Sequence, residues 1–155
     1  MKKSLFICCL VALFALPGAG FSKDHNMSGM AHNMPGMSDH KEMAMVGEQV
    51  ESGVKAVAHL KDVKATMAKM GMKETHHFMV LFSNTKDGKA IAEGSAAVKI
   101  KGPDGVEGAA IKLMGMEGHF GADVVLGKKG TYVFTIGTQL ADGVKRQFEL
   151  KYEVK

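Results

Sequence analysis

The stretch TYVFTIGTQLADGVKRQFELKYEV, residues 131–154, holds two runs with the period of a β-strand. Tyr132, Phe134 and Ile136 alternate with Val133 and Thr135; Phe148, Leu150, Tyr152 and Val154 alternate with Glu149, Lys151 and Glu153. Successive side chains of a strand point to opposite faces, so each run presents one apolar face to a core. The Ala-Asp-Gly at 141–143 between them is a turn signal. The same texture extends upstream, where TKDGK (85–89), KGPDG (101–105) and GKKG (127–130) punctuate short apolar runs. Phe78, Val80 and Phe82 alternate with His77, Met79 and Leu81, a strand apolar on both faces and therefore central.

Seven strands are predicted, near 53–60, 75–83, 95–101, 107–113, 119–126, 131–138 and 145–154. Short strands at this spacing point to an all-β fold, an antiparallel β-sandwich of immunoglobulin-like type. One segment departs from the pattern. DVKATMAKMG (62–71) has Asp at an N-cap position and Gly just past the end, which predicts a two-turn helix between the first two strands. The predicted core comprises Val54, Leu60, Phe78, Val80, Phe82, Val98, Ile100, Ile111, Val124, Leu126, Tyr132, Phe134, Ile136, Phe148, Leu150 and Tyr152.

A length of 155 residues suits one such domain with appendages. Residues 1–22 read as a secretory signal peptide: two lysines, an apolar run of about a dozen residues, then Pro and small residues. The run is too short for a transmembrane helix, so the membrane enters only through export, and a periplasmic location is expected. Cys8 and Cys9 lie early in the run, which argues against a lipid anchor, and both leave with the signal. Any soft metal site in the mature chain must then come from Met and His. Loss of Lys2 and Lys3 lowers the excess of basic over acidic residues from four to two. A near-neutral surface without a basic, aromatic-studded patch makes nucleic acid an unexpected partner.

Between the signal and the domain, expected at 50–155, lies a segment at 23–49 of another character. Up to residue 45 its apolar residues are only Met and Ala, so it cannot offset its ordering entropy and is expected to be a disordered tail. It holds His25, Met27, Met30, His32, Met34, Met37 and His40. The 3, 4, 3 spacing of its first four methionines would suit a helix stripe, but Gly29, Pro35 and Gly36 interrupt it. The chemical reading is stronger. Thioether is a soft ligand that selects Cu(I), and imidazole extends the range to Cu(II). Exposed Met otherwise brings only a liability to oxidation.

The domain repeats this composition. Met67, Met70, Met72, His76, His77 and Met79 fall in 67–79, and Met114, Met116 and His119 fall in 113–123. Met67 and Met70 are expected to pack on the sandwich from one helix face, and Met79 to sit in the core. His76 and His77 point to opposite faces, so one of them at most can join His119.

The stretch LMGMEGHFGADVVLGKKGTYVFTI, 113–136, resembles YtkA-like and FixH-like periplasmic domains, and is similar to bacterial periplasmic proteins of iron uptake that carry a copper site. The resemblance spans about 75–140. It implies an immunoglobulin-like sandwich with copper held by Met and His. By motif, Met116 matches the ligand methionine, His119 the ligand histidine, and His77 a histidine on an upstream strand; His76 and Met114 are the neighbouring candidates. The family's further histidine, past the Gly-Tyr turn, is absent here, since no His follows His119. That leaves a position for another Met, solvent or the tail. The tail itself resembles those of secreted copper-tolerance proteins.

The expected function is therefore copper binding in the periplasm, as a chaperone, buffer or tolerance factor, with a copper-handling protein as partner. An iron-uptake accessory and a metal-independent interaction module are the alternatives. No nucleophile triad, HExxH or phosphate loop occurs, so an enzyme is not expected.

Overall fold

The computed structural model describes residues 43–155. The expected signal peptide, and the tail ligands His25, Met27, Met30, His32, Met34, Met37 and His40, lie outside the described residues. Nine strands and one short helix follow: β1 (Met43–Glu51), β2 (Val54–Asp62), α1 (Lys64–Lys69), β3 (His76–Asn84), β4 (Ala90–Ile91), β5 (Gly94–Lys101), β6 (Ile111–Met116), β7 (His119–Val124), β8 (Gly130–Leu140) and β9 (Lys145–Val154). All pairings are antiparallel. The seven expected strands are present with shifted ends, and β1 and β4 are added to them.

The hydrogen-bonded order is β1-β2-β3-β7-β6-β5-β8-β9, with the short β4 on β3. Two layers arise because β6 changes partner half-way. Its residues Ile111–Leu113 pair with β5, and Met114–Met116 pair with β7. The free ends of the order also meet: the Glu149 amide of β9 donates to Gln49 Oε1 of β1 at 2.7 Å. Phenylalanines fill the space between the layers. Phe78 stacks on Phe134 with ring centres 5.1 Å apart, and Phe82 meets both Phe120 and Phe148 at 5.6 Å. Of the predicted core, Ile100, Ile111 and Tyr152 are only partly buried, while Val46, Ala56, Ala58, Ala96, Leu113, Phe120 and Leu140 join it.

Two expectations need correction. The domain does not begin at 50. β1 starts at Met43 and buries Val46 in the core, so seven residues assigned to the tail belong to the sheet. Only one large side chain of β1 is fully inward, which left its period weak in the sequence. The second concerns α1, which forms where expected but buries none of its residues. Met67 is half-buried and Met70 is 59 % exposed. The cause is local. The Val63 amide donates to the Thr75 carbonyl at 3.0 Å, closing the β2–β3 hairpin beneath the helix. α1 therefore extends from the hairpin tip instead of folding back onto a sheet. The N-cap is Val63, one residue later than expected and without a side-chain cap, while Asp62 Oδ1 just before it accepts from the Lys64 amide at 2.9 Å; Gly71 follows the helix end with a φ of +73°, as predicted.

Two stability measurements check this architecture. Phe134→Ala should lower the unfolding free energy by about 3–5 kcal/mol, since it leaves a cavity against Phe78 at the centre of the core. A chain trimmed to start at Met43 should melt as cooperatively as the full chain. One trimmed to start at Val50 should melt at lower temperature, because it lacks Val46 and most of β1; equal melting of the two would place the boundary at 50 after all.

Candidate metal centre

Strand alternation divides β2, β3 and β7 into a core face and an outer face. Ala58, Leu60, Phe78, Val80, Phe120 and Val124 are buried. The residues between them face outward. Register then sets these outward residues side by side. In one row, Met43 of β1 lies opposite Lys61, Lys61 opposite His77, and His77 opposite Asp123. In the next, Met45 lies opposite His59, His59 opposite Met79, Met79 opposite Gly121, and Gly121 opposite Met114. At the end of β7, His119 pairs directly with Met116.

The last pairing depends on a two-residue turn. Glu117 and Gly118 both have positive φ, 35° and 89°, as a tight hairpin of matching twist requires. The turn is Glu-Gly, and the preceding Gly115 is part of β6. Because the loop is so short, Met116 and His119 stand opposite each other with no freedom to slip.

His77, Met116 and His119, the three residues matched by motif, line one depression together with Met43, Met79, Lys61 and Glu117. Two features prepare it for a ligand. His77 Nδ1 lies 2.6 Å from Asp123 Oδ1. An ionised carboxylate only accepts, so this bond places the neutral ring's proton on Nδ1 and leaves Nε2 with its lone pair. That nitrogen lies over Gly121, where a Cβ would come within 3.0 Å of Nε2 and 3.1 Å of the Phe78 carbonyl oxygen. The missing side chain at Gly121 lets the His77 ring lie against β7, with Nε2 and Cε1 where a Cβ would otherwise crowd it. A carboxylate holding the far nitrogen of a ligand histidine is the usual support of a metal-bound imidazole.

The remaining candidates fall elsewhere. His76 points to the other face, as alternation requires. Its Nδ1 lies 2.8 Å from Thr75 Oγ1, and burial is the largest influence holding its pKa below the ordinary value, with Lys64 adding to that and Asp62 opposing it. Met114 shares the outer face and is 60 % exposed, but it does not line the depression. Met79 is placed differently from expectation. It is half-buried on the outer face, because Phe78 and Val80 take the inward positions on either side of it. Met43 and His59 were not singled out from the sequence at all. His59 interrupts the small apolar series Val54, Ala56, Ala58, Leu60 at an outward position, which marks its face but not its neighbours.

Among the described residues no three His, Cys, Asp or Glu side chains gather. A metal ion held in this depression would therefore need thioether ligands beside imidazole, and that donor set suits copper, above all Cu(I).

The tautomer can be checked without metal. Long-range proton–nitrogen spectra of the full chain should show His77 protonated at Nδ1 when neutral. Asp123→Ala should shift population to the Nε2–H form, and an unchanged tautomer would show that Asp123 does not orient the ring.

No family profile matches the sequence, and no curated protein matches it. Solved structures do match in fold. A copper-bound point variant of FetP from uropathogenic Escherichia coli strain F11 superposes with a TM-score of 0.59 at 13 % identity, covering 72 % of this chain and 97 % of that one. FetP of the same strain as isolated gives 0.55 at 13 % identity, with 73 % and 98 % covered. A DUF4426 family protein of Pseudomonas aeruginosa PAO1 gives 0.52 at 16 % identity, with 74 % and 96 % covered. Near-complete coverage of each neighbour places this chain's sandwich in the same fold, the all-β architecture that the resemblance of residues 113–136 implied.

Proposed function

We propose that this chain is a copper-binding protein of the bacterial periplasm, without enzymatic activity of its own. The observation that carries the reading is the convergence over Gly121: a bare Nε2 on His77, oriented by Asp123, in a depression shared with His119, Met116 and Met79. Met43 lines the same depression and would supply a further thioether. Two imidazoles with thioethers admit Cu(II) and favour Cu(I). Copper bound here would be stored or passed to a copper-handling partner. The residues themselves supply lone pairs, orient one imidazole, and exclude hard ions by offering few oxygens. The fold likeness to a copper-bound protein supports the reading, as does a signal-like sequence at 1–22. The Met/His-rich residues of 23–42 would add a separate Cu(I)-collecting segment.

Competition titration of the full mature chain tests this. His119→Ala and His77→Ala should each remove tight Cu(II) binding and leave in place the Cu(I) capacity contributed by residues 23–42. Asp123→Asn should weaken copper binding by about 10–100-fold with the ligands in place. Acidification should weaken the domain site, because protons compete for imidazole and not for thioether. Equal Cu(II) affinity with and without both histidines would overturn the His77–His119 site.

A further inference from the structure

We propose a second soft-ion site on the same face, formed by Met45, His59 and Met79 and suited to Cu(I). It shares with the proposed function the reading that these outward thioethers take soft ions, but it uses neither His77 nor His119. Register carries the argument. Met45 lies directly opposite His59, and His59 directly opposite Met79, on three adjacent strands. Directly opposed residues on one face of an antiparallel pair have Cβ atoms about 4.5–5.5 Å apart. Two flexible thioethers thus flank one imidazole from both sides.

Two further observations point to a ligand rather than to packing. First, the His59 ring makes no hydrogen bond or ion pair to the protein among the described residues, although the residue is half-buried. A partly buried imidazole with no protein partner has a free nitrogen to offer. Second, β1 is irregular at this point. The register shifts between Met45 and Gly47, and the extra residue, Val46, is buried. The bulge lets Met43 and Met45 both face outward while Val46 fills the core and Gly47 approaches Leu150. Bulges commonly re-aim side chains beside functional sites. Here one turns Met45, 53 % exposed, toward His59 at the cost of a regular edge strand.

Met79 belongs to both sites. It stands between His59 on one side and Gly121, against which the His77 ring lies, on the other. An ion could then exchange from the Met45–His59 side to the His77–His119 side while remaining bound to the Met79 sulfur. The row makes the outer face a two-position path, with the more exposed position first.

Titration of the full mature chain with Ag(I), a redox-inert soft ion, tests this, followed by methionine methyl and imidazole nitrogen resonances. The Met45 methyl and the His59 ring should both shift before saturation. His59→Ala and Met45→Leu should each bind one ion fewer than the unaltered chain with His119 still responding; both positions face outward, and unchanged melting would confirm the fold. His119→Ala should leave the Met45 and His59 shifts in place, and Met79→Leu should weaken both sets. If Met45 and His59 stay unmoved at saturation and His59→Ala binds as many ions as the unaltered chain, the second site does not exist, whatever His119 shows. If they move while His77 and His119 do not, the second site stands and the reading of the first one fails.

Discussion

The alternation of β3 is the constraint on which the rest depends. Phe78, Val80 and Phe82 are almost completely buried, and Phe78 stacks on Phe134 across the two layers. β3 is paired on both sides, with β2 along its whole length and with β7 over His76–Val80. A slip of one residue would turn three large side chains to solvent and bring His77 and Met79 into the core. The hydrophobic term that holds the layers together is therefore also what aims the imidazole outward. Core and site are two faces of one register, and substitutions that loosen the phenylalanine cluster should blur the site before they unfold the chain.

Much of this was legible in the residues, and the misses have physical causes. Period-two runs around Phe78, Tyr132 and Phe148 identified strands because each buries several large side chains on one face. β1 escaped notice because it buries mainly Val46 and carries a bulge, which breaks the period that would have revealed it. β4 has only two residues. The helix was read correctly from Asp62 and Gly71, whereas its packing was not. A short amphipathic pattern says which face is apolar but not whether anything lies beneath it. The Val63–Thr75 bond that lifts α1 off the sheet joins residues twelve apart and leaves no local trace.

The site was legible to the same limited degree. His77, Met116 and His119 were picked out by motif, and the structure gathers all three in one depression. His76 was separated from His77 by alternation alone, correctly. What the sequence could not supply was the pairing of strands. Gly121 reads as an ordinary small residue until β3 is laid beside β7, when it becomes the place where the His77 ring rests. Asp123 reads as a solvated charge until the same pairing sets it 2.6 Å from Nδ1. Met79 reads as core because it sits mid-strand among apolar residues, and Met43 by its place reads as part of the tail.

The placement of methionine answers a question that composition alone raises. A thioether buried in a core contributes packing, and Leu would serve there with better-defined rotamers. Here Met45, Met114 and Met116 are at least two-fifths exposed, and Met79 is half-buried on the outer face. Burial does not account for them. Neither does solubility, since a charged residue would serve an outward strand position better. Lys55 and Glu48, paired at 2.7 Å further along the same face, show the usual solution for such positions. Among the described strand residues, the methionines replace that pattern where β1, β2, β3, β7 and β6 bring His59, His77 and His119 to the surface. Among the described strands, methionine is thus confined to the histidine-bearing part of one face, on a sheet whose opposite face is ordinary aliphatic and aromatic core, while Met67, Met70 and Met72 lie in α1 and the turn after it. A selection for ligand chemistry produces that asymmetry; a selection for packing acts on both faces and does not.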